Sequence, residues 1–168
     1  MKLELWQSCY VLFPLLVLLH LHVAPYTKVE ESFNIQAIHD IIEYGVPLSD
    51  VRAKFDLLFD HMKFPGSVPR TFIGALVTAV VARPSLWLCN IHDGLLTQET
   101  VRGTVGILNA AALIAFVSSV RRAFGSNTAL YYTLFQASQF HIWYYASRTL
   151  PNMFAFSLSM SVVSSLHV

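Results

Sequence analysis

Apolar and polar positions along this chain are grouped into long blocks, with few polar residues inside the apolar ones. Each apolar block is close to the roughly 20 residues that an α-helix needs to cross the hydrocarbon core of a bilayer. The pattern therefore predicts an all-α fold, a polytopic helical membrane protein with one sizeable polar loop in a single membrane domain. The predicted spans are about 5–24, 71–89, 101–120, 129–146 and 150–168, and the loop covers 25–70.

The first apolar block has two interpretations, a retained helix or a secretory signal peptide. The residues before it, Met1–Glu4, are barely basic, and the block runs into Pro25-Tyr26 with only a poor small-residue cleavage site. We favour the retained helix. The last block reaches Val168 without a polar tail, so we expect a longer protein.

Within the polar loop, Glu30–Tyr44 has the apolar spacing of a helix, and Gly45-Val46-Pro47 provides a stop signal after it. At 100° per residue the polar side chains from Ser32 to Glu43, Asp40 among them, gather on one face. Glu30, Glu31 and Asn34 fall within or beside the apolar sector instead. We therefore expect these three residues to face protein or the membrane interface.

Composition agrees with a membrane protein, since 55% of the 168 residues are hydrophobic, 12% are charged and the mean hydropathy is +0.53. A net charge of +1 provides no basic surface for nucleic acid, so we predict no nucleic-acid partner. The charges are concentrated, because 12 of the 21 charged residues lie between Tyr26 and Arg70. The polar loop is therefore where chemistry is expected.

Cysteine content and sequons add little. Cys9 and Cys89 are isolated inside apolar blocks, so we predict neither a disulfide framework nor a metal site, and no cofactor. No Asn-x-Ser/Thr acceptor marks a lumenal face.

The topology is not determined by the sequence. If the amino terminus is cytoplasmic and each block spans once, the loop is lumenal. Arg121-Arg122 then also lies on the lumenal side, against the positive-inside tendency.

The adjacent carboxylates of Glu30 and Glu31 have a structural and a chemical explanation. Acidic residues in the first turn of a helix interact favourably with the positive end of the helix dipole. A carboxylate at a membrane boundary is also partly desolvated, which raises its pKa and suits it to act as a general base. Asn34, one turn further on, could orient such a base or a sugar hydroxyl.

Two arginines, Arg70 and Arg148, are each followed directly by a threonine. A bidentate guanidinium with a neighbouring hydroxyl is suited to hold phosphate. An arginine near the end of a membrane helix can equally extend its side chain to the interface without binding anything. The sequence leaves both interpretations open.

Three separated segments together carry a family resemblance: Pro25–Asn34 (PYTKVEESFN), Phe64–Thr71 (FPGSVPRT) and Arg148–Asn152 (RTLPN). In wording, order and spacing they resemble the dolichyl-phosphate-mannose-dependent mannosyltransferases of the endoplasmic reticulum, and among these the alpha-1,6 enzymes of N-glycan precursor assembly. The resemblance implies the amino-terminal part of a C-type glycosyltransferase fold, multi-pass in the endoplasmic reticulum membrane, with a helical first lumenal loop and a lumenal active site.

The resemblance also implies roles for individual residues. An inverting transfer from dolichyl phosphate mannose to a dolichyl-diphosphate-linked oligosaccharide needs one carboxylate base, for which Glu30 is the first choice and Glu31 the second. Arg70 and Arg148 are candidates for binding the donor phosphate or for structural support, and Asn34 is a candidate substrate-binding residue. The His-Lys-Glu-x-Arg-Phe motif of the family, which lies well downstream, does not occur in this chain.

Two other functions stay open. A catalytically inactive truncated isoform or membrane partner subunit would keep the helices and bind lipid or protein. A small-solute transporter is less favoured, because transporters place charges inside the membrane and here the charges lie mainly in the loop.

Overall fold

The computed structural model describes residues 4–63, 71–91 and 93–165, and these residues form helices and turns without a β-strand. The α-helices are α1 (Cys9–Val23), α2 (Ser32–Tyr44), α3 (Val51–Leu58), α4 (Asp60–Lys63), α5 (Ile73–Leu88), α6 (Gly94–Phe124), α7 (Ser126–Ala137), α8 (Phe140–Ala146) and α9 (Pro151–Ser165). Two 3₁₀ turns, Leu5–Ser8 and Val29–Glu31, lead into α1 and α2. The predicted all-α class is confirmed.

The chain divides into two compact units. We call residues 26–104 the acidic unit, because most of the charged loop lies there, and residues up to 25 together with those from 105 onward the scaffold unit. The long helix α6 contributes its first turns to the acidic unit and the rest to the scaffold unit.

In the scaffold unit, the buried face of α1 explains why this segment is helical. Cys9, Phe13, Val17 and Leu21 recur every four residues, so they form one stripe along the helix, and all four are buried. Cys9, Phe13 and Val17 belong to an apolar core that also contains Trp143 of α8, whose ring centroid lies 4.8 Å from that of Phe13. The opposite face of α1 is exposed and apolar.

The predicted span 129–146 is not one continuous helix. Helix α7 ends at Ala137 and α8 begins at Phe140, with Gln139 in a non-helical conformation (φ −84°, ψ 86°) between them. The break leaves carbonyl groups without their helical partners, and the indole N–H of Trp143 donates to the carbonyl oxygens of Gln136 and Ala137 at 3.1 and 3.0 Å. A side chain six and seven residues after the two accepting carbonyl groups thus stabilises the break.

Helix α6 is longer than the predicted block 101–120. The Oδ2 atom of Asp93 accepts hydrogen bonds from the backbone N–H groups of Leu95 and Leu96, both at 3.0 Å, so this aspartate caps the helix start. About two turns, which contain both leucines and polar residues, then precede the predicted block. Leu5–Val23 and Gly94–Phe124 are the stretches, among the described residues, that are long and apolar enough to cross a membrane, and Ile73–Leu88 is apolar but shorter.

The acidic unit is built on the packing of α2 against α5. Helix α2 ends where predicted, at Tyr44, and Gly45 follows with a positive φ of 69°, its N–H bonded to the carbonyl oxygen of Ile41 at 3.0 Å. The guanidinium of Arg83 on α5 donates to the carbonyl oxygen of Ile42 at 3.3 Å. A cation at this position also complements the negative end of the α2 dipole.

Candidate active site

Glu30 and Glu31 lie in the 3₁₀ turn that leads into α2. A 3₁₀ turn advances by about 120° per residue, so adjacent side chains on it point in well-separated directions. The hydroxyl of Ser32 donates to the carbonyl oxygen of Val29 at 2.8 Å and fixes the junction between the turn and the helix. The local backbone therefore separates the two carboxylates.

Glu31 is the inward member of the pair, with 0% of its surface exposed. Its Oε1 atom accepts a hydrogen bond from the backbone N–H of Lys28 at 2.8 Å, and its own N–H donates to the carbonyl oxygen of Lys28 at 3.2 Å. This reciprocal pairing holds the Glu31 carboxylate at the base of the turn. Its chemical effect is to order the backbone that carries Glu30.

Glu30 is exposed, whereas Asn34 on α2 is buried, at 2% exposure. The helical phase predicted inward positions for all three residues, and the structure buries Glu31 and Asn34 but not Glu30. The reason is that the prediction assumed α-helical rotation from Glu30 onward, while the chain is in a 3₁₀ turn until Glu31. Glu30 is therefore the accessible member of the acidic pair.

Two buried ionisable residues of the acidic unit were missed by the sequence analysis. Asp40 of α2 was assigned to the polar face but is only 3% exposed, which corrects that assignment. Arg102 of α6 is completely buried. A signal for Arg102 was present, since a charge inside a predicted apolar block indicates function or a buried partner. Periodicity gave no such signal for Asp40, because its burial depends on α2 meeting other helices.

A cleft of about 200 Å³ lies in the acidic unit beside α2, and we call it the α2 cleft. Its walls come from α2, α4 and the first turns of α6, and they include both apolar and polar side chains. Asp40 is among them, with its Oδ1 atom 3.6 Å from Nδ1 of the neighbouring His39. The cleft thus places a buried carboxylate in an otherwise mixed surface.

Arg148 belongs to the scaffold unit and lies two residues after the end of α8. It is 2% exposed; its guanidinium donates to the carbonyl oxygen of Ala24 at 3.3 Å and lies 4.8 Å from the centre of the Tyr144 ring. Both contacts tie together segments of the scaffold unit. Arg70, the other predicted phosphate ligand, and most of the Phe64–Thr71 segment lie outside the described residues.

Side chains that could bind a metal ion are scattered in the described part of the chain. Within residues 4–63, 71–91 and 93–165, no three or more histidine, cysteine, aspartate or glutamate side chains are grouped so that they could hold a metal ion. The carboxylate of Glu30 and the amide of Asn34 are groups that can transfer a proton and form hydrogen bonds, respectively.

Residues 8–168 match the Alg9-like mannosyltransferase family, and the chain belongs to that family. Among its relatives is the Saccharomyces cerevisiae protein named Dol-P-Man:Man(7)GlcNAc(2)-PP-Dol alpha-1,6-mannosyltransferase, which is 36% identical over 95% of this chain and 32% of its own length. Proteins of the same name from Arabidopsis thaliana and Drosophila melanogaster are 38% and 35% identical, over 81% and 86% of this chain and 26% and 20% of their own lengths.

The resemblance inferred from the three sequence segments is confirmed by these matches. The chain spans about a third or less of the length of the relatives it matches. No solved structure matches the chain.

Proposed function

We propose that this chain forms part of a dolichyl-phosphate-mannose-dependent alpha-1,6-mannosyltransferase that extends the lipid-linked oligosaccharide of N-glycan synthesis. The observation that carries the proposal is that relatives with this activity in their names match 81–95% of the chain at 35–38% identity. The split acidic pair at the start of α2 gives the activity a chemical basis.

The proposed reaction is a single displacement with inversion. A mannose hydroxyl of the dolichyl-diphosphate-linked acceptor attacks the anomeric carbon of the donor, and its proton passes to a carboxylate base. The new glycosidic C–O bond forms as the bond from the anomeric carbon to the phosphate oxygen breaks, and dolichyl phosphate leaves with the electron pair. Since phosphate is a good leaving group, the protein has to stabilise negative charge more than to supply an acid.

Glu30 is the proposed base, and Glu31 and Asn34 support it. Glu30 is supported by its exposure, because a base must reach the hydroxyl that it deprotonates. Glu31 is buried and bonded to the Lys28 N–H, which supports a positioning role. Asn34 is proposed to orient the carboxylate or a sugar hydroxyl from the adjacent turn of α2.

Arginine contacts to the donor phosphate are part of the same proposal. Arg70 is proposed to stabilise the charge that develops on the leaving phosphate. For Arg148, the contacts with Ala24 and Tyr144 support the alternative role of holding the scaffold unit together.

The proposed setting is a multi-pass protein of the endoplasmic reticulum membrane with a C-type glycosyltransferase fold, in which loop 25–70 is lumenal and carries the active site. Two helices of sufficient length and apolarity and membership of the mannosyltransferase family support this setting. The lipid bilayer, the lipid-linked donor and the lipid-linked acceptor are the proposed partners.

The decisive experiment replaces single carboxylates by amides in the protein expressed from its complete open reading frame. With dolichyl phosphate mannose as donor, we expect Glu30→Gln to lower the transfer rate about a hundredfold or more, which is within the usual range for a general base. Glu31→Gln should lower the transfer rate less, because an amide oxygen can still accept the hydrogen bond from the Lys28 N–H. Glu43→Gln, at an exposed position on the same helix, serves as the matched control and should transfer at the wild-type rate.

Wild-type turnover by both Glu30→Gln and Glu31→Gln would disprove the base assignment. A well-folded wild-type protein that transfers no mannose would instead favour the inactive membrane subunit. That alternative is considered because the chain spans only 20–32% of its named relatives.

A further inference from the structure

We propose that Arg102 forms a buried ion pair with Glu31 and thereby positions the turn that carries Glu30; this inference rests on the proposed function. Arg102 lies eight residues into α6 and is completely buried, and no step of the proposed reaction uses it. An ionised side chain in the interior loses its hydration, and this loss is tolerated where an opposite charge lies beside it. The interior of the acidic unit must therefore hold a carboxylate for Arg102.

The interior of this unit offers two carboxylates. Among the described residues of the acidic unit, Glu31 and Asp40 are the buried acidic side chains, and Arg102 is the buried lysine or arginine. Asp40 has a neighbour that can carry positive charge, since its Oδ1 atom lies 3.6 Å from Nδ1 of His39. The Lys28 N–H gives Glu31 a hydrogen bond but no net charge. Charge compensation therefore favours Glu31 as the partner of Arg102.

The path of the chain brings two segments of the scaffold unit close together. The Arg148 guanidinium donates to the carbonyl oxygen of Ala24 at 3.3 Å. The Cβ atom of the preceding residue, Ser147, lies 3.3 Å from the place that a Cβ atom on Gly106 would occupy. Ala24 and Gly106 are thus both next to residues 147 and 148. The chain enters the acidic unit just after the first of these points and leaves it just before the second.

The two buried charges follow from these points along the chain. Arg102 lies one turn before Gly106 on the same face of α6, because side chains four residues apart share a face. Glu31 follows Ala24 by seven residues and Asp40 follows it by sixteen. The difference of nine residues corresponds to about 14 Å along a helix at 1.5 Å per residue. Of the two buried carboxylates, Glu31 is therefore the one that begins nearer to the turn of Arg102.

The α2 cleft provides a second indication, because α2 and the first turns of α6 line it together. Ile35 of α2 and Gln98 of α6 are both among its lining residues. Glu31 precedes Ile35 by four residues, and Arg102 follows Gln98 by four. Each charge thus lies one turn beyond a lining residue, toward the place where the chain enters or leaves the acidic unit. This arrangement places the ion pair at one end of the contact between the two helices.

The ion pair acts on Glu30 through the 3₁₀ turn. The Glu31 carboxylate accepts the Lys28 N–H at 2.8 Å, and the Glu31 N–H donates to the Lys28 carbonyl oxygen at 3.2 Å, so these bonds close the turn that contains Glu30. A guanidinium can bond both oxygens of a carboxylate, which fixes the orientation of the carboxylate as well as its position. Arg102 therefore holds the Glu31 side chain and, with it, the direction in which Glu30 leaves the turn. It is a positioning residue, acting through Glu31.

The kinetic test combines Arg102→Gln with Glu31→Gln in the protein expressed from its complete open reading frame. We expect each single change to lower kcat about tenfold, because a small misplacement of the base slows the chemical step. KM for both lipid-linked substrates should stay within about twofold. Arg102→Lys, which keeps the charge, should recover most of the loss in kcat. The double variant should lose about as much as one single variant, whereas a loss of about a hundredfold, the product of the two, would overturn the pair.

A stability measurement keeps the test independent of turnover. Removing one member of a buried ion pair leaves the other charge without compensation, whereas removing both does not. The unfolding temperature of the double variant in detergent should therefore lie above that of Arg102→Gln alone. If Arg102→Gln does not fold and the double variant does, the pair is equally supported. If the two single changes lower the unfolding temperature additively, the pair is disproved.

The matched control is Arg83→Gln, because Arg83 is an exposed arginine that bonds to the other end of α2, at the carbonyl oxygen of Ile42. It should leave kcat unchanged, and its effect on the unfolding temperature should add to that of Glu31→Gln. Non-additive stability in a folded protein that transfers no mannose would count against the proposed function and not against the pair. Non-additive stability with a wild-type kcat in Arg102→Gln would overturn the positioning role.

Discussion

The two units of the chain bury different kinds of polar group. In the acidic unit, the described residues place Glu31, Asp40 and Arg102 inside. Among the described residues of the scaffold unit, Arg148 is the buried charged side chain, and the other buried polar side chains are neutral. Burying charge is costly and is tolerated where groups are paired or have a function, so we propose that the acidic unit is the part of the chain that carries the chemistry.

The scaffold unit uses its neutral polar groups to join helices through the backbone. The amide of Asn109 on α6 donates to the carbonyl oxygen of Ala146 at 2.8 Å. The hydroxyl of Ser119 donates to the backbone carbonyl oxygen of Ser164 at 2.9 Å. Such bonds connect segments far apart in sequence without burying a charge. The comparison predicts that substitutions in the scaffold unit change stability, while those in the acidic unit change turnover.

The strongest challenge to this division is Arg148, the buried charge of the scaffold unit. Arg148→Ala removes a charged hydrogen bond to Ala24, about 1.5–3 kcal/mol, and a cation–π contact with Tyr144, about 0.5–2 kcal/mol. We therefore expect a loss of about 2–5 kcal/mol in the free energy of unfolding, measured by denaturation of the protein in detergent. The free energy of unfolding of Arg148→Lys should lie between those of the wild type and Arg148→Ala, because lysine keeps the charge but lacks the planar guanidinium.

The matched control is Arg122→Ala, because Arg122 is exposed and bonds to Ser119 one turn away on the same helix. It should leave stability nearly unchanged. If Arg148→Ala kept wild-type stability and instead raised KM for the donor, Arg148 would be a phosphate ligand, and the division between the units would fail at this residue.

A smaller effect is expected at Gly106 of α6, which packs closely against Val17 of α1 and against Ser147. A Cβ atom at this position would overlap Cγ1 of Val17 and lie 3.3 Å from Cβ of Ser147. Overpacking of this kind costs about 1–3 kcal/mol, so Gly106→Ala should lower the unfolding temperature without changing KM for either substrate. Gly94→Ala, where nothing lies within 4 Å, is the control and should not destabilise.

If Gly106→Ala had the stability of the wild type, α1 and α6 would be able to move apart at little cost in free energy. The scaffold unit would then owe its order to hydrogen bonds and not to close packing.

The sequence was sufficient where local signals determine the structure. Helix α1, the helix from Ile73 to Leu88 and the end of α2 at Gly45 all follow from apolar blocks and stop signals that can be identified within a few residues. The resemblance likewise rested on short segments that could be read directly. These features were predicted because no distant part of the chain decides them.

The features that were missed depend on contacts between segments. The break after Ala137 lies in a continuous apolar block, and it is stabilised by the indole of Trp143, which periodicity does not identify as a partner. Burial of Asp40 depends on the helices that pack around α2. The exposure of Glu30 follows from a 3₁₀ turn, whose short range and different rotation a helical projection does not reveal.

The smallest expected effect concerns Glu4, an exposed charge at the start of the scaffold unit. Its carboxylate accepts hydrogen bonds from the Trp6 indole and, at 2.8 Å, from the Ser126 hydroxyl, and lies 3.3 Å from Nε of Arg121. The bond from Trp6, followed by that from Ser126, lowers the pKa of Glu4 below its ordinary value of 4.5. A lowered pKa in the folded state stabilises the protein above the unfolded value, and this contribution is lost as the pH falls through the folded one. The unfolding temperature of Glu4→Gln should therefore lie slightly below that of the wild type at neutral pH, and the two unfolding temperatures should converge on acidification.

A constant difference in unfolding temperature at every pH would show that Glu4 acts through packing and not through its charge. Exposed ion pairs contribute little to stability. We therefore expect the difference in unfolding temperature to be small even at neutral pH, in contrast to the effect of a buried carboxylate in the acidic unit.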